Sequence, residues 1–276
     1  MRTVVCVKQV YDPKSIRVSR SREELDLREA VVVANPADKY ALEAALRLRD
    51  AVGGEVVALT LDGAPRQGQD AVGGEDAVRE AIAIGADRGV VLTGSWQGDA
   101  RQSGLRLPAS NIVTRVIAAA LGKLAPVDLA LTGEAGLVDG TGSLAPRLAA
   151  ALGWPVALDV LSLESHGDGL VAVVGQPDSA DCYRMPLTLP AVAALGRWAE
   201  RPRYPHPSRI ANAWGDGLVD VWDIADLGLA AEELTPDAEP AGLILGPERA
   251  RGQTIGGAPA EAARDLLGLL RSRRLI

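Results

Sequence analysis

Phenylalanine is missing from all 276 residues, and aromatic residues make up only 3% of the chain. A core must then be built from Val, Leu, Ile and Ala, which the 47% hydrophobic content supplies. Two cysteines, Cys6 and Cys182, are too few for a disulfide framework. The two histidines, His166 and His206, stand far apart, and no Cys or His spacing suits a metal. No apolar run reaches membrane-spanning length, and the first residues read as a strand rather than a signal peptide. The net charge of -7 argues against nucleic acid as the main partner. There is no GxSxG, no Walker A run and no tight GxGxxG after the first strand. These absences point to a cytoplasmic α/β protein, not inserted in a membrane and without catalytic residues of its own.

What is present is a rhythm of strands and helices. "RTVVCVKQV" (Arg2 to Val10) reads as a buried strand, followed by a polar linker. Asn35 is placed to cap a helix whose first turn holds Pro36 and Asp38, with Ala41, Leu42, Ala45, Leu46 and Leu48 as its apolar stripe. A strand ending at Leu61, a helix stopped at Gly85, a third strand, and two more helix-to-strand repeats follow. That alternation predicts an α/β, doubly wound, mainly parallel, Rossmann-like sheet. "GLVAVVGQ", "DCYRMPLTL" and "PAVAAL" (Gly169 to Leu195) are expected as antiparallel additions. The core is expected over residues 1–195. Residues 196–276 carry Trp198, Trp214, Trp222, clustered prolines and a final helix from Ala258 to Leu270, with too little apolar periodicity to fold alone. They are expected as a C-terminal extended arm that packs on a partner subunit.

One loop stands out. "LTGEAGLVDGTGSLAP" (Leu131 to Pro146) follows an apolar strand and opens a helix. Gly133, Gly136, Gly140 and Gly142 let backbone approach a ligand, and Thr141 and Ser143 offer hydroxyls. A helix start beyond them presents free N–H groups and a positive dipole end, which suits a phosphate. In a doubly wound sheet this loop and the Asn35 turn can border one crevice, with an adenine near Cys6 and Asn35.

These stretches together resemble the β subunit of electron transfer flavoproteins. The carriers are "VKQV" (Val7 to Val10), "NPADKYALEAALRL" (Asn35 to Leu48), "GADRG" (Gly85 to Gly89), Asp128 to Pro146, "LPAV" (Leu189 to Val192) and "PRY" (Pro202 to Tyr204). They occur in the family's order over about the first 210 residues. The resemblance implies a heterodimer whose α subunit carries the redox-active FAD, while the β subunit holds AMP, or a second FAD in bifurcating relatives. Electrons would pass from a donor dehydrogenase to a quinone reductase or another acceptor.

Carried over by position, the nucleotide site comprises Cys6, Asn35, Pro36, Ala37, Asp38, Leu61, Gly133, Asp139, Gly140, Thr141, Gly142 and Ser143. The segment that docks the donor would hold Arg203, Tyr204, His206, Pro207 and Arg209. The sequence departs from the family pattern at several of these points. Glu134-Ala135-Gly136 replaces Lys-Gln-Ala, Ser143 replaces Gln, and Ala37 stands where an aromatic is common. Pro207 occupies the place of a docking leucine. With its Ala- and Arg-rich, Lys-poor composition, the chain looks like a divergent, actinobacterial member serving an unusual donor. A stand-alone adenine-nucleotide sensor of the universal-stress type is the alternative, suited by "GADRGVVLTGS" (Gly85 to Ser95). A scaffold with an empty pocket is the third reading.

Overall fold

The computed structural model describes residues 1–19, 24–27, 29–62, 74–94, 109–137, 140–166, 169–175, 181–199, 201–237 and 252–276. The chain opens on β1 (Arg2–Cys6), then β2 (Gln9–Tyr11), β3 (Arg17–Ser19), β4 (Glu24–Asp26) and β5 (Val32–Ala34). It enters α1 (Pro36–Val52) and alternates through β6 (Glu55–Leu61), α2 (Glu75–Ile84), β7 (Arg88–Thr93), α3 (Ser110–Leu124), β8 (Leu129–Gly133) and α4 (Leu144–Leu152). β9 (Val156–His166), β10 (Gly169–Gly175), β11 (Cys182–Leu187) and β12 (Ala191–Leu195) follow. α5 (Pro207–Asn212), β13 (Val219–Asp223) and α6 (Pro259–Ser272) complete the order.

Nine strands form one sheet in the order β11-β10-β9-β12-β8-β1-β6-β7-β13. From β9 across to β13 every pairing is parallel. The apolar stripes of α1 and α2 cover one face, and those of α3 and α4 cover the other. The sheet is therefore doubly wound, as expected. From β1 the chain crosses to β6 on one side, and it later returns to β8 on the other. The connections thus reverse direction between β1 and β8, and the carboxyl ends of those two strands border the natural ligand crevice.

Three local expectations change. Residues Arg2 to Val10 are not one strand: β1 stops at Cys6, and β2 turns away to pair with β5. The break falls where the Lys8 N–H leaves the ladder and donates to the Asp38 carboxylate at 2.9 Å. Within the supposed polar linker, β3 and β4 form a small antiparallel hairpin. Finally, β10 and β11 are antiparallel additions, but β12 is not. It is inserted in parallel between β8 and β9, with all five of its residues buried. An unalternating apolar run such as "AVAAL" is the pattern of a strand covered on both faces. β9 makes this possible by changing partner along its length. It pairs with β12 up to Val160 and with β10 from Val160 onward, and it bends at Asp159, where φ is 52°.

The compact unit that contains the sheet runs from Met1 to Leu243. Residues beyond 195 therefore begin by adding to the core: β13 extends the sheet next to β7, and Ala213 and Ile224 are buried in it. The second unit, Ile244–Ile276, contains α6. Glu43 of α1 is what ties the segment after β12 to the core. Its carboxylate, 4% exposed, accepts from the Arg203 backbone N–H at 3.0 Å and from Arg203 Nε at 2.8 Å. Arg47 Nε donates to it at 2.9 Å. Burial alone would raise the Glu43 carboxyl, but the hydrogen bonds and charge of Arg203, with Arg47, more than offset this and hold it below its ordinary value.

Removing the arginine strands a buried carboxylate. We expect Arg203→Ala to lower unfolding free energy by about 2 kcal/mol in urea titration. Tyr204→Ala, one residue on and 96% exposed, should change it by less than about 0.5 kcal/mol. Equal effects of the two substitutions would show that Arg203 is not the anchor.

Candidate functional site

Asn35 stands at the N-cap of α1, yet its side chain caps nothing in that helix. Its Nδ2 donates to Asp38 Oδ1 at 2.9 Å and to the Ala135 carbonyl at 3.1 Å. Its Oδ1 accepts from the Leu137 N–H at 3.0 Å. The residue that local grammar marked as a helix cap instead staples the start of α1 to the loop after β8, one hundred positions away.

Asp38 completes the junction. It is 6% exposed, and its Oδ2 takes the Lys8 N–H at 2.9 Å. Its Oδ1 takes Asn35 and, at 3.2 Å, the Gly133 N–H. One carboxylate thus gathers the ends of β1 and β8 onto the first turn of α1. Desolvation pushes its pKa up to about 6, against the lowering effects of the Lys8 charge and the donated hydrogen bonds. Gly133 is required by this closeness. A Cβ there would lie 2.6 Å from the Ala37 carbonyl carbon and 2.6 Å from Asp38 Oδ1.

Asn35, Pro36, Ala37, Asp38 and Gly133 are therefore brought together where β1 and β8 end, with Cys6 the last residue of β1. Leu61 ends β6, the strand beside β1, and packs on the neighbouring apolar cluster. The Cys6 thiol lies in that cluster rather than in the crevice. Its burial, and secondarily the Asp38 charge, push its pKa up to about 12, so it is not a nucleophile. Gly140, Thr141, Gly142 and Ser143 form the approach to α4, while Asp139 lies outside the described residues. At Gly142 φ is +56°, and a Cβ would meet the Glu134 carbonyl oxygen at 2.5 Å. That glycine seats the turn against the end of β8.

The turn has the donor chemistry that an anionic group needs. Among the described residues, the N–H groups of Thr141, Gly142 and Ser143 donate to no backbone or side-chain acceptor. α4 has no side-chain cap and no acidic residue in its first turn. No group of three or more His, Cys, Asp or Glu among the described residues is arranged to hold a metal.

The segment from Arg203 to Arg209 divides by role. Arg203 is bound to Glu43, and its Nη2 also reaches Asp50 at 3.0 Å. His206 caps α5, its Nδ1 accepting from the Ser208 N–H at 3.3 Å, and Pro207 is the first helical residue. Arg209 Nη2 donates to the carbonyls of Ile82 and Ala86 at 3.3 Å. Tyr204 is left with nearly its whole side chain in solvent. Sequence reasoning missed Glu43, Lys8, Ala135 and Leu137. A glutamate beside the apolar stripe of α1 was the one signal for Glu43. Ala135 and Leu137 act through backbone groups, which leave no mark on residue identity, and Lys8 acts on Asp38 through both its backbone N–H and its charge.

Residues 27–209 match the family described as electron transfer flavoprotein domain. Over 276 residues the chain is 29% identical to the electron transfer flavoprotein subunit beta of Bacillus subtilis, covering 99% of this chain and 98% of that one. Over 283 residues it is 30% identical to the subunit of the same name from Thermoanaerobacterium thermosaccharolyticum, covering the whole of both. It is 26% identical over 282 residues, again the whole of both chains, to the caffeyl-CoA reductase-Etf complex subunit CarD of Acetobacterium woodii.

The Asp38 junction has a pH signature. Its folded pKa, about 6, is raised above the ordinary 3.8, so its stabilising contribution is complete below the ordinary value and fades as pH rises through about 6. In Asp38→Asn, which does not titrate, one buried N–H loses its acceptor, at a cost of about 1–3 kcal/mol. We expect the variant's stability deficit in chemical denaturation to be largest near pH 4 and to shrink towards pH 7. A deficit that grows with pH would mean the carboxylate is not burdened by burial.

Proposed function

Since the chain belongs to the electron transfer flavoprotein family, we propose that it works as the β subunit of a heterodimeric electron carrier, accepting electrons from a dehydrogenase and passing them to a quinone reductase or another acceptor. The full-length similarity to chains named as β subunits supports this role over a stand-alone nucleotide sensor. The flavin of the partner subunit supplies the electron-accepting chemistry. This chain holds AMP as a structural group and contributes surface for the partner and the donor.

One observation carries the nucleotide assignment. Two segments remote in sequence, 35–38 and 133–137, are hydrogen-bonded together at the point where the sheet's connections reverse. The unsatisfied donors of Thr141 to Ser143 lie just beyond. Those donors fit the phosphate of a nucleotide by backbone contact, which needs no cationic side chain. Asn35 and Asp38 are spent on each other and on backbone groups. In this reading they shape the crevice, and the ligand touches backbone and apolar surface around them. The buried geometry they hold is what keeps the crevice open before the ligand arrives.

The donor-docking role falls to the exposed aromatic Tyr204, held in place by Arg203 and Arg209 on either side. The partner-binding role falls to the second unit. Its helix α6 brings Leu266, Leu267, Leu269 and Leu270 into two turns, with Arg264, Asp265 and Arg271 around them. A leucine-rich helix of this kind needs a surface to cover it.

Mass spectrometry of the denatured, gently purified complex should release AMP in one-to-one ratio with this chain. A second FAD per complex, or no nucleotide, would overturn the assignment. Deleting residues 244–276 should leave the first unit folded by circular dichroism and weaken binding of the flavin-bearing subunit at least tenfold. A cut after Leu195 is the wrong test, because it removes β13 and the buried Ile224. Tyr204→Ala should slow reduction of the complex by its donor with no change in melting temperature. An unchanged rate would place the docking surface elsewhere.

A further inference from the structure

We infer that Glu134 sets the charge selectivity of the nucleotide crevice, restricting it to ligands with a single phosphate. The inference rests on the nucleotide site proposed above. Glu134 is the first residue beyond β8, and its backbone is held from two sides. Its N–H donates to the Leu195 carbonyl at 2.9 Å, at the end of β12. Its carbonyl oxygen lies 2.5 Å from where a Cβ on Gly142 would sit. The residue is thus wedged between the end of β12 and the donor-bearing turn before α4. Its carboxylate leans over the end of β12, with Oε2 3.3 Å from the position a Cβ would take on Gly196.

Among the described residues Glu134 has no ion-pair partner. The other carboxylate near the crevice among the described residues, Asp38, is offset by the Lys8 charge and by three hydrogen-bond donors. Glu134 is half-buried and, among the described residues, uncompensated, so it adds a net negative charge beside the turn that an anionic ligand would meet. A phosphate seated on Thr141 to Ser143 would lie within roughly a side chain's length of it. The turn and the α4 start supply a limited set of N–H donors, enough for one phosphate. A second phosphate brings a further negative charge and finds no further free N–H donor among the described residues of the turn. At such a separation, with the screening of a partly solvated site, one extra like charge weakens binding by about tenfold. Nothing comparable penalises the adenosine part, which carries no charge.

The test uses the full chain co-purified with its flavin-bearing partner, stripped of nucleotide and titrated calorimetrically with AMP and ADP. Wild type should bind AMP about tenfold or more tighter than ADP. Glu134→Gln should cut that preference to within about threefold, and Glu134→Lys should reverse it. Glu134→Asp, which keeps the charge, should keep the wild-type preference, and this separates charge from shape. Melting temperatures of all variants should match wild type, since the carboxylate supports no other residue. If wild type binds AMP but Glu134→Gln leaves the AMP-to-ADP ratio unchanged, the selectivity role is overturned and the site stands. If no protein in the series binds either nucleotide, the site itself fails, and the selectivity role with it.

Discussion

A buried carboxylate is a costly thing to place in a protein, and Asp38 is the one on which this structure turns. It meets the end of β1 through Lys8, the end of β8 through Gly133 and the start of α1 through Asn35. Two strand ends from opposite sides of the reversal are thereby locked to one helix start. Gly133 must be glycine because that lock leaves no room for a methyl group. β1 must stop at Cys6 because the next free N–H but one is taken by the carboxylate rather than by a neighbouring strand. Replacing such a cluster by apolar residues is often neutral or stabilising in other proteins, so raw stability is a poor reason for it. Its use here is geometric: it ties two strand ends to one helix start at the carboxyl edge of the sheet.

A second buried carboxylate repeats the device on the outer side of α1. Glu43 holds Arg203, and through it the chain that leaves β12. Arg209 pins the next helix against the end of α2. The two anchors let α5 and β13 lie on the core while Tyr204 is offered to solvent. α1 is therefore the spine of the molecule. One end of it closes the junction of β1 and β8, and its flank holds the segment that carries Tyr204. Asp38 and Glu43 are buried charges at those two places, while the sheet between them is largely Val, Leu and Ala with Thr3, Thr60 and Thr132 buried among them.

Much of this was legible before any coordinates. Strand and helix periods, the glycine stops and the loop after β8 led to the doubly wound sheet, and the ordered motifs led to the family. The misreadings share one cause. Local pattern makes Asn35 a helix cap because its neighbours in sequence are a helix, although its partners are Asp38, Ala135 and Leu137. "PAVAAL" was taken for an antiparallel addition because it follows two such strands, although it slots between β8 and β9. Residues after 195 read in sequence as an arm that packs on a partner because they lack apolar periodicity, and β13 within them pairs with β7 at the sheet's edge. Local pattern reports what a segment is, and these were questions of what it meets.

The sequence by itself determined the fold class, the position of the glycine-rich turn and the residue types around the crevice. Hydrophobic period, turn chemistry and helix-start preferences act over a few residues, and they can be read a few residues at a time. Only the tertiary structure decided that Asp38, Asn35 and Gly133 close one junction, that Arg203 is an anchor and Tyr204 its free neighbour, and that Glu134 abuts Gly142. The Gly133–Asp38 and Arg203–Glu43 contacts join groups 95 and 160 positions apart through backbone N–H groups that every residue but proline carries, and Glu134 meets Gly142 through a carbonyl oxygen that every residue has. Residue identity leaves no trace of which distant carboxylate such a group will find. Packing of the sheet against α1 makes the choice, because it brings the strand ends and the helix start within hydrogen-bonding distance of each other and excludes the water that would otherwise satisfy them.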